Sequence, residues 1–193
     1  LNSHYKIFVA EVASTTNEIL LLEYLLGKAT SDVERAYLIN HYLDSFRTTL
    51  FRQTMFAEFE HIVHEKIYRG EVLTQEDMNR IYYDLNVQYY GEEMRVDQEI
   101  SYEWMRIPHF YSPYYVYQYA TGYSAAIAFS KKILEEGATA VEGYITKFLS
   151  GGGSKDPLDL LQDAGVDMSS PQPIDDALSV FEEYLEQLAK VLD

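Results

Sequence analysis

The 193-residue sequence contains no cysteine, a single tryptophan and only half as many basic as acidic residues. The absence of cysteine excludes a disulfide scaffold, a thiolate zinc site and a cysteine nucleophile. Fifteen Lys and Arg against thirty-one Asp and Glu give a net charge of −16, which argues against binding to nucleic acid or to an anionic membrane. No apolar run approaches the roughly 18 residues that cross a bilayer, and no secretion signal precedes the first polar segment. We therefore expect a cytoplasmic protein.

Apolar residues make up 47% of the chain and recur at steps of three and four, which is the period of an α-helix. No segment shows sustained alternation with a period of two, so the fold class we predict is all-α. The stretch 31–69 has no proline or glycine and is either one long helix or two helices with an unmarked kink. We predict helices over residues 7–26, 31–69, 74–91, 92–106, 113–136, 138–150, 156–165 and 175–193, with a loop over 107–111.

Local signals mark where several of these helices begin and end. Thr74 followed by Asp77 is typical of a capping box, and Ser112-Pro113 is typical of an N-cap followed by proline in the first turn. The clearest flexible break is the triple glycine at 151–153. We therefore divide the chain into residues 1–150 and a Gly- and Pro-punctuated acidic helical tail, 151–193.

One constellation of potential metal ligands lies on the long helix. His61, His64 and Glu65 read HxxHE rather than HExxH, so the carboxylate does not lie between the histidines. Glu58 and His61 form one Glu-x-x-His unit, whereas a di-metal bundle needs two. We interpret these residues as a charged helix face with pairs at i,i+3 and i,i+4.

A second constellation lies on the first helix. Glu11 and Glu18 are seven residues apart and share a face, with Ser14 between them. A carboxylate on a largely apolar helix is costly to bury without a partner, so it is either exposed or bound to a metal. The spacing alone leaves both alternatives open.

The third constellation is a run of tyrosines after His109. Six tyrosines lie within thirteen residues, and Tyr115, Tyr119 and Tyr123 are spaced four apart, while Tyr111 and Tyr114 lie near the start of the run. Phenols and an imidazole are good hydrogen-bond donors to a developing oxyanion. They bind a peptide backbone equally well, and they also pack in cores with their hydroxyls at the surface.

Two of these segments carry a family resemblance. Residues 8–18, FVAEVASTTNE, closely resemble the segment downstream of the HExxH helix in oligoendopeptidase F, a family of thimet-oligopeptidase-like zinc peptidases. The run from His109 resembles the substrate-binding loop and helix of the same family. The likeness covers residues 7–149 and implies that residues 1–150 are a multi-helix, C-terminal part of a zincin-type peptidase catalytic domain.

The resemblance also implies roles for individual residues. Glu11 would be the third protein ligand of one catalytic Zn²⁺, with Glu18 and Ser14 as supporting groups. His109, Tyr115 and Tyr119 would be catalytic, with Tyr114 as a rival. Substrate contacts are expected from Tyr111, Tyr114 and Tyr123.

One departure from the family pattern is large. The other two zinc ligands and the general base belong to HExxH, which is absent from these 193 residues. The chain also begins with Leu1, so we expect a processed product or a fragment whose N-terminal part supplies that motif. The expected activity is zinc-dependent hydrolysis of short oligopeptides by the intact protein, and the chain alone is expected to be inactive. The alternative is a non-catalytic helical module that binds a peptide or a protein.

Overall fold

The computed structural model describes residues 4–192 and consists of helices joined by short connections. No strand occurs among these residues, which confirms the all-α prediction. None of their helices is both long and apolar enough to cross a lipid bilayer. The α-helices are α1 Ile7–Leu26, α2 Asp32–Ser45, α3 Arg52–Tyr68, α4 Gln75–Tyr90, α5 Tyr117–Glu136, α6 Ala138–Gly143, α7 Pro157–Asp163 and α8 Gln172–Leu192.

Shorter helical segments lie between the α-helices. Phe46–Phe51 and Tyr144–Leu149 are π-helical, and Gln98–Arg106 and Pro108–Tyr111 are 3₁₀-helical. The first π segment lies inside the stretch predicted as one long helix or two. A π segment widens the helix by one residue per turn, and no proline or glycine is needed to produce it, which explains why the sequence does not mark it.

The chain divides into two compact units, one formed by residues up to 50 and from 121 onward, the other by Phe51–Ala120. In the first unit, α1 buries a stripe at steps of three and four residues. The rings of Tyr42 on α2 and Tyr184 on α8 lie 4.9 Å apart, and those of Phe46 and Phe181 lie 5.4 Å apart. The acidic tail therefore contributes side chains to this core.

The second unit has its own core between α3, α4 and the 3₁₀ segments. The rings of Phe56 and Phe59 lie 5.6 Å and 5.4 Å from the ring of Phe110. Ile107 and Val116 are also buried in this cluster. The connection between them is consequently held at both ends by apolar packing.

Helix boundaries follow the sequence signals in some places and not in others. The capping box of α4 is confirmed, since Thr74 Oγ1 accepts the N–H of Asp77 and the Asp77 carboxylate accepts the N–H of Thr74. The helical stretch predicted over 92–106 is confirmed only in its later part, Gln98–Arg106, which is 3₁₀-helical. The start predicted after Ser112-Pro113 is wrong, because α5 begins at Tyr117. Tyr114 adopts a φ of 56°, which is incompatible with an α-helix through this position.

Candidate active site

The connection from Ile107 to the start of α5 carries His109 and most of the tyrosine run. It carries His109 on its 3₁₀ turn, and the N–H of Ser112 donates to the carbonyl of His109 at 3.0 Å, which closes that turn. Phe110, Ile107 and Val116 pack into the core of the second unit. The polar side chains between these apolar contacts are thereby presented on a defined backbone.

His109, Tyr115 and Tyr119 form one cluster, which we call the His–Tyr cluster. The Tyr119 hydroxyl lies 3.3 Å from His109 Nε2. The Tyr115 ring is stacked on the imidazole with an interplanar angle of 16° and a centroid distance of 5.9 Å. Tyr119 meets both other rings edge-on. His109 is exposed and both tyrosines are partly exposed, so the cluster is accessible to a ligand.

Tyr114, the rival in the sequence interpretation, does not contact His109. Its ring packs on His64 of α3 with a centroid distance of 5.2 Å, and its backbone N–H donates to Glu60 Oε1 at 2.7 Å. Partial desolvation raises the pKa of the Tyr114 phenol, and the nearby Tyr68 and Glu60 act in the same direction. The geometry therefore separates Tyr114 from the tyrosines that surround the imidazole.

The two remaining tyrosines of the run have opposite environments. Tyr111 is 85% exposed at the end of the 3₁₀ turn. Tyr123 is only 5% exposed, its hydroxyl lies 2.6 Å from Ser45 Oγ, and its ring packs edge-on against Phe46. Burial also raises the pKa of the Tyr123 phenol. Tyr123 therefore packs in the core of the first unit, and the substrate contact expected of it stays a prediction.

The carboxylates of α1 lie on its exposed face. Ser14 Oγ donates to Glu18 Oε1 at 3.1 Å, so two of the three predicted residues are paired. The Glu11 carboxylate is exposed and makes no hydrogen bond or ion pair with any residue in 4–192. Glu11 therefore presents an oxygen ligand that is not used within the described chain.

No group of three His, Asp or Glu side chains in the described residues 4–192 is arranged to hold a metal ion. A zinc site needs three or four protein ligands, so Glu11 can supply one member of such a set. The isolated carboxylate is of the right chemical type for that place. The other members would have to come from residues beyond those described.

The carboxylates of the His61–Glu65 constellation on α3 pair with neighbouring side chains of the protein. Glu58 accepts the Tyr89 hydroxyl at 2.7 Å, and Glu65 pairs with Arg69 at 3.0 Å and a spacing of i,i+4. The nearby Glu60, 4% exposed, was missed by the sequence interpretation. Its signal was present, because it lies four residues after the buried Phe56 and therefore on the apolar face.

Comparison with known proteins identifies the family. The sequence matches the model of peptidase family M3 over residues 1–180, and the chain therefore belongs to this family. It is similar to oligopeptidase PepF of Bacillus subtilis, with 58% identity over 98% of this chain and 28% of the relative. It is also similar to the chromosomal oligoendopeptidase F of Lactococcus lactis subsp. cremoris, with 47% identity over 98% of this chain and 31% of the relative.

A solved structure shows the same fold. The crystal structure of oligoendopeptidase F from Enterococcus faecium superposes with a TM-score of 0.92 at 48% identity, over 98% of this chain and 36% of that one. The resemblance to oligoendopeptidase F is thus confirmed, and peptidases of family M3 are generally metal-dependent. The chain spans less than a third of the length of the two curated relatives compared above.

Proposed function

We propose that this chain forms the substrate-side part of a zinc-dependent endopeptidase that hydrolyses short oligopeptides. The observation that carries the proposal is the His–Tyr cluster, in which an imidazole and a phenol hydroxyl lie 3.3 Å apart at an accessible surface. Membership of family M3 supports peptide-bond hydrolysis as the reaction class. The full catalytic site would also require an HExxH-bearing segment, which these 193 residues do not contain.

Glu11 is the residue of this chain that would bind the metal ion. Its carboxylate is exposed on α1 and has no partner among residues 4–192, so no hydrogen bond or ion pair to those residues would have to be broken before it coordinated. When bound, zinc lowers the pKa of a coordinated water and polarises the scissile carbonyl. Ser14 holds the Glu18 carboxylate on the same helix face, where Glu18 would add negative potential close to the cation.

His109 and Tyr119 would act on the carbonyl oxygen of the substrate. Two hydrogen-bond donors held this close together can stabilise the negative charge that develops on that oxygen. Tyr115 would keep the imidazole in position, since its ring is stacked on His109. Tyr111 is exposed at the end of the same turn and is available to a bound peptide.

Replacement of Glu11 tests the metal assignment. In a protein that joins this chain to the HExxH-bearing part, Glu11→Ala should lower zinc content and abolish hydrolysis of a short fluorogenic peptide. Glu182→Ala removes an exposed carboxylate from α8 and is the matched control, with zinc content and rate unchanged. A Glu11→Ala protein that keeps both zinc and activity would contradict the proposal.

The isolated chain provides a second test. Because a single carboxylate is a weak site, calorimetric titration with zinc should give no binding tighter than roughly micromolar, and no peptide hydrolysis is expected. Tight one-to-one binding by the isolated chain would mean that these residues form a complete metal site, which contradicts the assignment of Glu11 as one ligand of a shared set.

A further inference from the structure

Glu60 is a buried carboxylate that none of the assignments above uses. It lies on α3 with 4% of its surface exposed, on the face that packs into the core of the second unit. Burying a carboxylate is costly unless it accepts hydrogen bonds. Its Oε1 accepts the backbone N–H of Tyr114 at 2.7 Å, across 54 residues of sequence.

Tyr114, the donor of this hydrogen bond, has an unfavourable backbone conformation. Tyr114 has a φ of 56°, in the left-handed region that a bulky side chain enters only with backbone strain. A hydrogen bond of normal length from the Tyr114 N–H to a buried acceptor oxygen stabilises the turn against this strain. The contact between Glu60 and Tyr114 therefore explains how the left-handed turn persists.

This turn decides where the next side chain points. The segment is held by Phe110 before the turn and by Val116 after it, so only a few residues remain free to vary. With Tyr114 left-handed, the Tyr115 ring lies stacked on the imidazole of His109. With Tyr114 in an ordinary extended or right-handed conformation, Tyr115 would leave from a different direction and the stack would be lost.

We propose that Glu60 is a positioning residue for the His–Tyr cluster, acting through the backbone N–H of Tyr114. The inference extends the proposed function, because it assumes that the cluster contacts the substrate. It assigns no proton transfer to Glu60, which is buried behind the loop. Its contribution is to hold His109, Tyr115 and Tyr119 in one arrangement before a peptide binds, which lowers the cost of ordering them during the reaction.

Two conservative substitutions at position 60 distinguish the effect of side-chain length from the effect of side-chain charge. Glu60→Gln keeps an acceptor oxygen at the same distance, whereas Glu60→Asp keeps the charge but is one methylene too short to reach the Tyr114 N–H. Both side chains are close in size to glutamate, so the fold should survive. Glu58→Asp is the matched control, since Glu58 lies on the same helix and accepts from Tyr89 instead of from the loop.

The first readout does not depend on activity. In the ¹⁵N-labelled chain, Glu60→Asp should accelerate amide hydrogen exchange at Tyr114 by about tenfold or more and remove the ring-current shift of Tyr115 on His109. Glu60→Gln should stay within about threefold of the parent chain, and Glu58→Asp should change neither signal. Retained protection in Glu60→Asp, or equal losses in the Gln and Asp variants, would overturn the inference.

The second readout is the kinetics of the zinc-loaded enzyme that contains the HExxH part. Because the cluster would act on the transition state, Glu60→Asp should lower kcat by about tenfold or more with little change in KM, and Glu60→Gln should restore most of the rate. Loss of Tyr114 protection without any change in kcat would leave the geometric role of Glu60 standing. It would overturn the catalytic role proposed for the His–Tyr cluster, so the two failures are distinguishable.

Discussion

The hydroxyl of Tyr119 on α5 lies 3.3 Å from Nε2 of His109 on the preceding 3₁₀ turn. Ten residues separate the two, and the core contacts of Phe110 and Val116 hold the backbone between them. A phenol and an imidazole at this distance can both donate hydrogen bonds to one carbonyl oxygen. Family membership and this geometry together support a substrate-side role for the pair.

The first prediction concerns the Tyr119 hydroxyl. Tyr119→Phe keeps the edge-on ring packing and removes the donor, so kcat of the complete enzyme should fall by about 10²-fold with KM nearly unchanged. Steady-state kinetics with a short fluorogenic peptide measure both constants. Tyr102→Phe, at an exposed position of the Gln98–Arg106 segment, is the control and should leave kcat unchanged. A Tyr119→Phe enzyme with full kcat would remove Tyr119 from the mechanism.

The second prediction is a pH dependence of stability that arises from Glu103. Burial raises the pKa of Glu103, but the hydrogen bond from Tyr82 and the charge of Arg52 outweigh it, so the pKa lies below its ordinary value. A carboxyl with a lowered folded-state pKa stabilises the fold above its unfolded value of about 4.3. That contribution is lost as the pH falls through the folded-state pKa.

Urea denaturation of the parent chain and of Glu103→Gln should reveal this. The parent should be more stable at neutral pH, and the difference in unfolding free energy should shrink as the pH falls below about 4.3, because protonated Glu103 then resembles glutamine. Glu99→Gln, exposed on the same 3₁₀ segment, should show no such trend. A difference for Glu103→Gln that is constant from neutral to acid pH would contradict the ion-pair account.

The third prediction tests the structural role of Tyr123. Ser45 Oγ donates to the carbonyl of Tyr42 at 2.6 Å, so the Tyr123 hydroxyl is the donor in its own contact with Ser45. Tyr123→Phe should therefore lower the free energy of unfolding by about 1 kcal/mol. Ser45→Ala should do the same, and the double variant should lose clearly less than the sum of the two single losses. Strictly additive losses in denaturant titrations would show that the two hydroxyls are not coupled.

The fourth prediction concerns the start of α4. Thr74→Ala removes both the acceptor for the Asp77 N–H and the donor to its carboxylate, and should destabilise the chain by about 1 kcal/mol. Thr74→Ser keeps the hydroxyl and is the control. Thermal unfolding followed by circular dichroism measures the effect, and equal midpoints for the Ala and Ser variants would show that the capping box does not contribute to stability.

Apolar periodicity and helix-end signals were sufficient to predict much of the fold from the sequence. The bounds of α1 agree with the apolar stripe and with the stop before Gly27, and the capping box of α4 forms as its spacing predicts. Such features depend on neighbours within four residues, so the sequence displays them directly. The similarity to oligoendopeptidase F also rested on a local segment, residues 8–18, and was confirmed by comparison.

The arrangement around His109 depended on residues far apart in the chain. The sequence named His109, Tyr115 and Tyr119 as candidates and offered Tyr114 as a rival, since spacing alone does not distinguish among tyrosines on one loop. Glu60 lies 54 residues before Tyr114 in the sequence and accepts the backbone N–H of Tyr114. This hydrogen bond stabilises a left-handed turn that local backbone preference disfavours. The sequence by itself determined the all-α class, helix ends such as those of α1 and α4, and the family, because these follow from short-range pattern. Only the tertiary structure decided which phenols meet the imidazole, because a buried long-range contact outweighs the local backbone preference.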